Sequence, residues 1–354
     1  MTAEAIGLAP KLSPDIPQPY LLFLGDVTEA AYAKTAFGLR DWAPERCVGE
    51  FACGDRSITA GLPFLTPAEA YARGARALVI GVANSGGIIL ESWHAALVEA
   101  MAAGLDIVSG MHVPLEHLPV LRDAAHRYGR RLIDVRRPPP QIPTGNGRKR
   151  SGKRLLTVGT DCALGKKYTA LCLTRAFRER GLDADFRATG QTGILIAGGG
   201  MPMDAVVADF EAGAAELLSP EAAPDHWDVI EGQGSLSHPA FSAVSLGLLH
   251  GSQPDVFVVC HEPGRRTMLG FPDYPLPTIE ETIELNRLLG RRTNPAIRCG
   301  GVALNTGKLP ASDADRLLDE EHARLGLPVA DPMRGGARFD ELVDACLAAG
   351  TQHK

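Results

Sequence analysis

The sequence of 354 residues lacks a CxxC motif, a long hydrophobic run and an excess of positive charge. Its seven cysteines are scattered, which argues against a zinc site or a disulfide framework and favours a reducing cytoplasm. The longest apolar stretches have the length of strands, so we expect no membrane span. No basic region followed by an apolar one opens the chain, so we expect no secretory signal. The net charge of −6 argues against nucleic acid or an anionic membrane as partner.

Composition is that of a globular protein, with 45% hydrophobic and 22% charged residues, and the length predicts two domains. The clearest break is "RRPPPQIPTGNGRKRSGKR", residues 136–154. Three consecutive prolines cannot continue a helix or a central strand, and the glycines and basic residues resist burial. We therefore predict domains over 1–140 and 154–354, joined by a linker over 141–153 whose basic residues are solvated.

Short apolar runs alternate with helical patterns on both sides of this break. The first domain offers strands at "YLLFLGD", "ALVIGVANSG", "LDIVSGMH" and "RRLIDV", and the second at "RLLTVGTD", "ADFRATG", "DVIEGQGS", "DVFVVCHEPG" and "RCGGVALNTGK". Such alternation predicts an α/β protein with a Rossmann-like N-terminal domain and a doubly wound parallel sheet in the C-terminal domain. Ligands of these sheets bind beyond the carboxyl ends of the strands, so functional residues are sought there.

The first strand of the second domain ends in "LTVGTDCALGKKYTA", residues 156–170, which has the order strand, loop, Gly-Lys, helix. Gly159 and Gly165 permit a loop whose N–H groups face one anion, and Lys166 can reach a terminal phosphate. Walker-type loops place Ser or Thr after this lysine to hold Mg²⁺, whereas here the position is Lys167. The pattern predicts a phosphate-binding loop and leaves Mg²⁺ uncertain.

The loop length and the "GTD" opening, with Thr160 and Cys162 inside the loop, resemble dethiobiotin synthetase. That resemblance also implies a P-loop-type fold. In "LNTGK", Asn305 matches the asparagine that this family places against the purine. Asn305 is therefore expected to bind the nucleotide part of a co-substrate.

Other strand ends offer donors for an anionic substrate. "RATGQTG" supplies Arg187, Thr189, Gln191 and Thr192, and "HEPGRR" supplies Arg265. An arginine fork matches a carboxylate in a bidentate way, so the two arginines are the predicted carboxylate ligands.

The candidate catalytic residues are Glu231, His238 and Asp161. Glu231 ends the strand "DVIEGQGS", where it would serve as a general base, a magnesium ligand or a cap on the following helix. His238 follows near the presumed mouth of the site, where a structural role is equally compatible with the sequence. No metal ligand set is predicted.

In the first domain, "GVANSGG" and "SGMH" occupy the corresponding strand ends. Asn84 and Ser85 would form an anion nest, and His112 would line the same cleft as a further substrate-binding residue. The match to the dinucleotide fingerprint is loose and lacks the acidic residue that follows it, which argues against a nicotinamide cofactor.

Five stretches, "GTDCALGKKYTA", "FRATGQTGILIAGGG", "VVADFEAGAAELL", "IEGQGSLSHPAFS" and "CHEPGR", resemble in order the C-terminal domain of the DgcN-type D-glutamate N-acetyltransferase family. The stretches "GVANSGG" and "SGMH" resemble its Rossmann-like N-terminal domain. The resemblance covers nearly the whole chain and implies acetyl-CoA as co-substrate and D-glutamate, or a close D-amino acid, as acceptor. Because CoA phosphates are held and not transferred, such a ligand needs N–H groups and positive charge more than a hydroxyl-held magnesium.

Transfer of acetyl to an amine needs removal of a proton from the ammonium, stabilisation of the oxyanion and departure of the thiolate. Glu231 is the first candidate base, followed by His238 and Asp161, and backbone N–H groups of Gln233 to Ser235 are candidates for the oxyanion. The alternatives are an ATP-dependent ligase or kinase of the dethiobiotin synthetase type and a nucleotide-binding regulatory protein. We also expect a cytoplasmic homo-oligomer.

Overall fold

A computed structural model describes residues 12–54, 58–84 and 86–351. Within them the chain divides into two units, residues 1–139 with 190–205, and residues 140–189 with 206–354. No helix in this described part is both long and apolar enough to cross a membrane. The strands are β1 (Tyr20–Phe23), β2 (Cys47–Phe51), β3 (Ala77–Ile80), β4 (Asp106–Ser109), β5 (Leu132–Asp134), β6 (Lys153–Gly159), β7 (Ala184–Arg187), β8 (Trp227–Ile230), β9 (Val256–His261), β10 (Thr267–Met268), β11 (Phe271–Pro275), β12 (Arg298–Leu304) and β13 (Val329–Ala330).

The helices run between the strands, and most of them connect parallel strands. They are α1 (Lys34–Trp42), α2 (Pro67–Ala72), α3 (His94–Ala102), α4 (Pro119–Tyr128), α5 (Lys166–Glu179), α6 (Gln191–Ala197), α7 (Glu211–Leu218), α8 (Ser242–Ser252), α9 (Ile279–Gly290), α10 (Ala311–Leu325) and α11 (Ala337–Thr351). Capping boxes begin two of them, with Thr66 before α2 and Thr278 before α9.

The first unit is built on a parallel sheet with the strand order β2-β1-β3-β4-β5. Its central strands are buried on both faces, which explains their near-continuous apolar sequences. Helix α6 belongs to this unit although it lies far along the chain. The hydroxyls of Thr35 and Thr192 are 2.8 Å apart, and Arg46 Nη1 donates to the carbonyl of Leu195 at 3.4 Å. The domain division expected from the sequence placed residues 190–205 with the second domain.

The second unit has a parallel sheet in the order β13-β12-β9-β6-β8-β7 and a separate antiparallel hairpin, β10–β11. Strand β6 lies between β9 and β8, so the loop that follows it emerges near the middle of the sheet. The core beneath this loop packs Phe177 of α5 edge-on against Trp227 of β8, with ring centroids 5.1 Å apart. The predicted α/β architecture with two parallel sheets is confirmed.

The sequence did not indicate β2, β13 or the hairpin. Strand β2, "CVGEF", contains a buried glutamate that breaks the apolar pattern. Its carboxylate is satisfied locally, because Glu50 Oε2 accepts hydrogen bonds from the N–H groups of Ala60 at 2.7 Å and Leu62 at 3.3 Å. The tertiary partners that allow a charge in this strand lie in a loop ten residues away, where a local pattern does not reveal them.

Two basic residues of the predicted linker, Lys149 and Arg150, are bound by the second unit, whereas Arg148 is exposed; the expectation of solvated basic residues is therefore wrong for those two. Lys149 Nζ donates to the buried carboxylate of Asp255 at 2.7 Å, and Arg150 Nη2 donates to the carbonyl of Gly251 at 2.8 Å. Arg154 is fully buried and donates to the carbonyl of Pro220 at 2.8 Å. These cations attach the segment to the second unit.

Candidate active site

The loop between β6 and α5 forms a concave backbone surface. Ala163 has φ 54° and Gly165 has φ 107°, so two residues of this short loop occupy the left-handed region. Left-handed residues in a short loop turn successive N–H groups toward one point, which is the geometry of an anion nest. Helix α5 begins at Lys166, so its positive end also faces this surface. Two left-handed residues directly before a helix start are typical of loops that bind phosphate.

Lys166 lies across this loop. Its Nζ donates to the carbonyl oxygen of Asp161 at 2.7 Å, and the side chain is almost fully buried. Burial lowers the pKa of Lys166, which the neighbouring Cys162 and Asp161 oppose. In this structure the ammonium group is therefore bound to the backbone of the loop itself.

The other predicted loop residues have diverse contacts. The hydroxyl of Thr160 is 2.9 Å from His261 Nδ1, at the end of β9. Burial raises the pKa of the Cys162 thiol, so the thiol form is favoured. Lys167 Nζ lies 4.5 Å from the ring centre of Tyr168. Gly159 packs closely on β9, where an added Cβ would lie 3.1 Å from the Cys260 carbonyl oxygen.

Asp161 is fully buried at the start of the loop. Its Oδ2 accepts hydrogen bonds from Arg265 Nη1 at 2.9 Å and from the N–H of Leu269 in the β10–β11 turn at 2.8 Å. Its Oδ1 has no hydrogen-bond partner among the described residues and lies 3.7 Å from His238 Nε2. One carboxylate oxygen is therefore occupied and the other is not.

His238 lies in the segment between β8 and α8 and is 2% exposed. Its ring contacts Phe241 and Phe271, with centroids 4.6 and 5.0 Å away. Nδ1 accepts hydrogen bonds from the N–H groups of Ala240 at 3.0 Å and Phe241 at 3.2 Å, whereas Nε2 has no partner within the described chain. Two donors at Nδ1 assign the proton of the neutral ring to Nε2. Burial lowers the pKa of His238, against the attraction of Asp161, so this neutral form is favoured.

Ligand atoms of Asp161, Cys162 and His238 lie within 4.8 Å of one another, a spacing that would admit a metal ion. The chemistry of these donors does not fit one. Nε2 of His238 carries the proton because two backbone N–H groups occupy Nδ1, so this histidine offers no lone pair to a metal ion. Mg²⁺ prefers oxygen ligands, of which this cluster offers a single carboxylate.

Glu231, the first candidate base, supports the end of β7. Its Oε2 accepts the N–H of Thr189 at 2.9 Å, and the Thr189 hydroxyl donates to the Glu231 carbonyl at 2.7 Å. Gln233 Nε2 in turn donates to the Thr189 hydroxyl at 2.9 Å. The next residue, Gly232, must be glycine, because a Cβ there would lie 1.6 Å from the carbonyl oxygen of Thr157. Thr189 and Glu231 thus form one local network beside the loop.

The two arginines predicted to bind carboxylates are both paired with acids of the protein. Arg187 Nε donates to the buried Asp228 at 2.5 Å. Arg187 is paired with Ile230 in the sheet, so Asp228 lies two residues before its partner on β8. The structure therefore does not bring the Arg187 guanidinium together with the loop. Arg265 pairs with Asp161 and also with Glu262. Arg266, which follows it, is exposed and has no ionic partner among the described residues.

Glu262 links the loop to the end of β12. Burial alone would raise its pKa, but its pairs with Lys308 and Arg265 hold the pKa below its usual value.

Asn305, the predicted purine ligand, is exposed beside a cavity of about 60 Å³. Asp331 shapes this cavity, because its carboxylate accepts the N–H groups of Thr306 and Met333, each at 2.9 Å. A second cavity, of about 370 Å³, lies near the ends of β9 and β12; it is lined by His261, Pro263, Gly264, Thr278, Ile279, Glu280, Leu304, Leu317, Glu321 and Arg324.

The remaining predicted residues belong to the first unit. Asn84 makes two hydrogen bonds with the backbone of Ile88, at 2.9 and 3.0 Å, and Ser85 lies outside the described residues. His112 is exposed, with its pKa lowered by burial of part of the ring and by Arg136. The side chain of Gln191 lies against Gly110, where a Cβ would meet Gln191 Oε1 at 1.8 Å. The structure thus places Gln191 and Thr192 in the same unit as Asn84 and His112, and Thr189 and Arg187 in the other.

The fold and the loop define a two-domain α/β protein that has a Rossmann-like unit and a P-loop unit. In its P-loop, Lys167 stands where Walker-type loops have the hydroxyl that holds magnesium. Two family descriptions match the chain: "Domain of unknown function (DUF1611_N) Rossmann-like domain" over residues 45–138, and "Domain of unknown function (DUF1611_C) P-loop domain" over 141–343. The chain belongs to the DUF1611 family.

Three relatives are similar over most of the chain. A D-glutamate N-acetyltransferase of Tritonibacter scottomollicae is 48% identical, covering 94% of this chain and 99% of the relative. Another from a Pseudoalteromonas species is 47% identical, covering 91% and 97%. The crystal structure of a DUF1611 family protein from Anabaena variabilis is 34% identical with a TM-score of 0.84, covering 94% of this chain and all of that one. The resemblance inferred from the motifs is confirmed, and the chain is an acyltransferase by class.

Proposed function

We propose that this enzyme transfers the acetyl group of acetyl-CoA to the amino group of D-glutamate. The names of the two relatives support the reaction. The observation that carries the donor assignment is the β6–α5 loop. It combines a backbone nest, a buried Lys166 and Lys167 at the position of the magnesium hydroxyl. Such a loop suits a phosphate that is held and never transferred.

The CoA diphosphate is the proposed ligand of the loop. Phosphate oxygens would replace the Asp161 carbonyl as the acceptor for Lys166 Nζ, while the N–H groups of the loop surround the anion. The adenine would lie toward Asn305 and the 60 Å³ cavity, whose walls also include Gly165 and Tyr168 of the loop and helix α5. In this arrangement Mg²⁺ is not required, because lysine and backbone N–H groups supply the positive potential.

The acceptor has two carboxylates, and exposed Arg266 is the proposed ligand of the distal one. Arg265 has another task, because its pairs with Asp161 and Glu262 fix the start of the β9–β10 connection. Glu231 supports the Thr189 turn, and Gln233 to Ser235 remain the proposed backbone donors for the oxyanion. We further propose, from the sequence, that the enzyme is cytoplasmic and homo-oligomeric.

A thiol-release assay tests this function. Purified protein is mixed with acetyl-CoA and either enantiomer of glutamate, and free thiol is followed over time. Thiol release that requires the D-enantiomer is expected. A parallel reaction with ATP and Mg²⁺ follows phosphate, and ATP-dependent release of phosphate would instead indicate a ligase or kinase.

A further inference from the structure

Two buried polar atoms of the second unit face each other without partners among the described residues. They are Asp161 Oδ1 and His238 Nε2, and the 3.7 Å between them exceeds hydrogen-bond length. Buried polar groups in folded proteins are nearly always paired, so a facing couple without protein partners marks a place for a water molecule or for ligand atoms. Hydrogen bonds at the other end of each group orient these atoms: Oδ2 of the aspartate and Nδ1 of the histidine each accept two.

The two atoms have opposite hydrogen-bonding character. Oδ1 of an ionised carboxylate only accepts, whereas Nε2 of this tautomer only donates, because Nδ1 is occupied by two backbone N–H groups. His238 therefore has no free lone pair in this state, which removes it as a base. A matching ligand must offer a donor and an acceptor on neighbouring atoms.

We propose that Asp161 and His238 together bind the α-amino acid head group of the acceptor. The ammonium donates to Asp161 Oδ1, and the α-carboxylate accepts from His238 Nε2–H. An α-amino acid carries these two groups on one carbon, which suits two protein atoms 3.7 Å apart. This assignment rests on the proposed function. With the diphosphate on the β6–α5 loop, the pantetheine arm has to fold back toward Asp161 for its thioester to meet this nitrogen.

The chemistry balances with this arrangement. Asp161 Oδ1 accepts one proton of the ammonium, and the amine nitrogen attacks the thioester carbon. The C–N bond forms, the C–S bond breaks, and the sulfur leaves as a thiolate that takes a second proton from the nitrogen. The first proton passes from Asp161 to solvent, leaving the amide, free CoA and the original carboxylate.

The β10–β11 hairpin covers the two atoms. The N–H of Leu269 binds Asp161 Oδ2, and the ring of Phe271 meets His238 edge-on. Gly270 at the turn has φ 83°, while Leu269 and Tyr274 expose apolar surface to solvent. A head group can reach the two atoms only if this hairpin moves, which breaks the hydrogen bond from Leu269 to Asp161 Oδ2 and leaves Arg265 to hold the carboxylate.

Two substitutions of the histidine separate binding from structure. His238→Asn keeps an oxygen near the position of Nδ1, so it can still accept from Ala240 and Phe241, but it has no donor at the position of Nε2. His238→Gln supplies a donor near Nε2 and loses the acceptor. If the histidine were purely structural, the protein would tolerate His238→Asn and not His238→Gln. The head-group assignment predicts the reverse for substrate preference: His238→Gln keeps the preference for an acceptor with an α-carboxylate, and His238→Asn loses it.

The readout is the preference for D-glutamate over 4-aminobutyrate, which has the amine and the distal carboxylate but no α-carboxylate. We expect the ratio of the two kcat/KM values to fall about tenfold or more in His238→Asn and to stay within about threefold of wild type in His238→Gln. A ratio unchanged in His238→Asn overturns the assignment, even if both activities decrease.

Calorimetric binding of D-glutamate in the presence of CoA keeps the inference independent of turnover. Binding to the wild type that is lost in Asp161→Asn and weakened in His238→Asn supports the head-group site, even if no acetyl transfer is found and the proposed function fails. Equal binding to all three proteins, or no binding of either glutamate enantiomer to the wild type, overturns it. The thermal midpoint of each variant shows that the protein remains folded.

Discussion

The loops after β3 and β6 follow central strands of two parallel sheets, yet they differ in how they use their polar side chains. After β3, Asn84 turns back and makes both of its hydrogen bonds with the backbone of Ile88. After β6, Asp161 is buried with one oxygen occupied and the other open toward His238. Asn84 is satisfied by the backbone of its own loop, whereas Asp161 Oδ1 has no hydrogen-bond partner among the described residues.

The same contrast extends to the neighbouring strand end in each sheet. After β4, the Ser109 hydroxyl accepts the N–H of Met111 at 3.0 Å, which closes the turn locally. After β8, the Glu231 network and His238 prepare donors and acceptors around the β6–α5 loop. Position at the carboxyl end of a parallel strand is therefore permissive for function, and two unsatisfied buried atoms that face each other at that end are the more selective sign.

The largest effect is expected from Lys166→Ala, which removes the charge of the β6–α5 loop. The KM for acetyl-CoA should rise roughly 10- to 100-fold, because a charge-assisted hydrogen bond to phosphate is lost. Initial rates of thiol release over a range of acetyl-CoA concentrations measure it. Lys34→Ala, at an exposed lysine of α1, is the matched control. An unchanged KM in the loop variant would remove the distinction between the two loops.

Arg266→Ala tests whether the second unit also supplies the cation for the distal carboxylate. The KM for D-glutamate should rise about tenfold with little change in the KM for acetyl-CoA. Arg291→Ala, an exposed arginine after α9, loses the same charge and serves as control. Equal KM values for D-glutamate in the two variants would assign the distal carboxylate to another residue.

Protonation of His238 should make the free energy of unfolding depend on pH. Its folded pKa is lowered by burial, so between that pKa and the unfolded value near 6.5 the unfolded chain binds more protons. Stability is then fully present above the unfolded pKa and falls as the pH drops through this window. In urea unfolding from pH 7 to 5, the free energy of unfolding should fall less steeply in His238→Asn than in wild type. Parallel curves for the two proteins would contradict the buried neutral ring.

The smallest effect is expected from Asn84→Ala in the self-satisfied loop. Loss of two local hydrogen bonds at a half-buried position should lower the free energy of unfolding by about 1 kcal/mol. The kcat/KM for D-glutamate should stay within about twofold of wild type. A large loss of activity with little loss of stability would instead support the substrate-binding role that the sequence suggested for Asn84.

Local patterns predicted the parallel sheets and the loop after β6, because apolar strands and the Gly-Lys helix start are encoded within a few residues. They also selected Asp161 and His238 as candidates. The roles of these residues depend on distant partners: Leu269 lies 108 positions from Asp161 and yet donates to it at 2.8 Å. The hairpin that carries Leu269 and Phe271 has two short strands with exposed side chains, so it has no periodic signal.

The carboxylate ligands were harder to predict for a different reason. Arg187 stands at a strand end, as a substrate-binding arginine would, but its guanidinium is drawn back to the buried Asp228. A sequence shows where an arginine is attached and not where its long side chain ends. Likewise, the hydrogen bonds from Ala240 and Phe241 that determine the His238 tautomer exist only once the turn has formed.

The assignment of residues 190–205 to the first unit has a consequence for engineering this protein. The polypeptide changes units after Pro139, after Thr189 and after Ala205, so no single cut yields two self-sufficient fragments. A fragment ending at Pro139 would lack α6 and leave Thr35 without the hydroxyl of Thr192. A chimaera that takes its first unit from a relative would therefore also need residues 190–205, with α6, from that relative. These residues would have to be exchanged within the C-terminal part of the sequence.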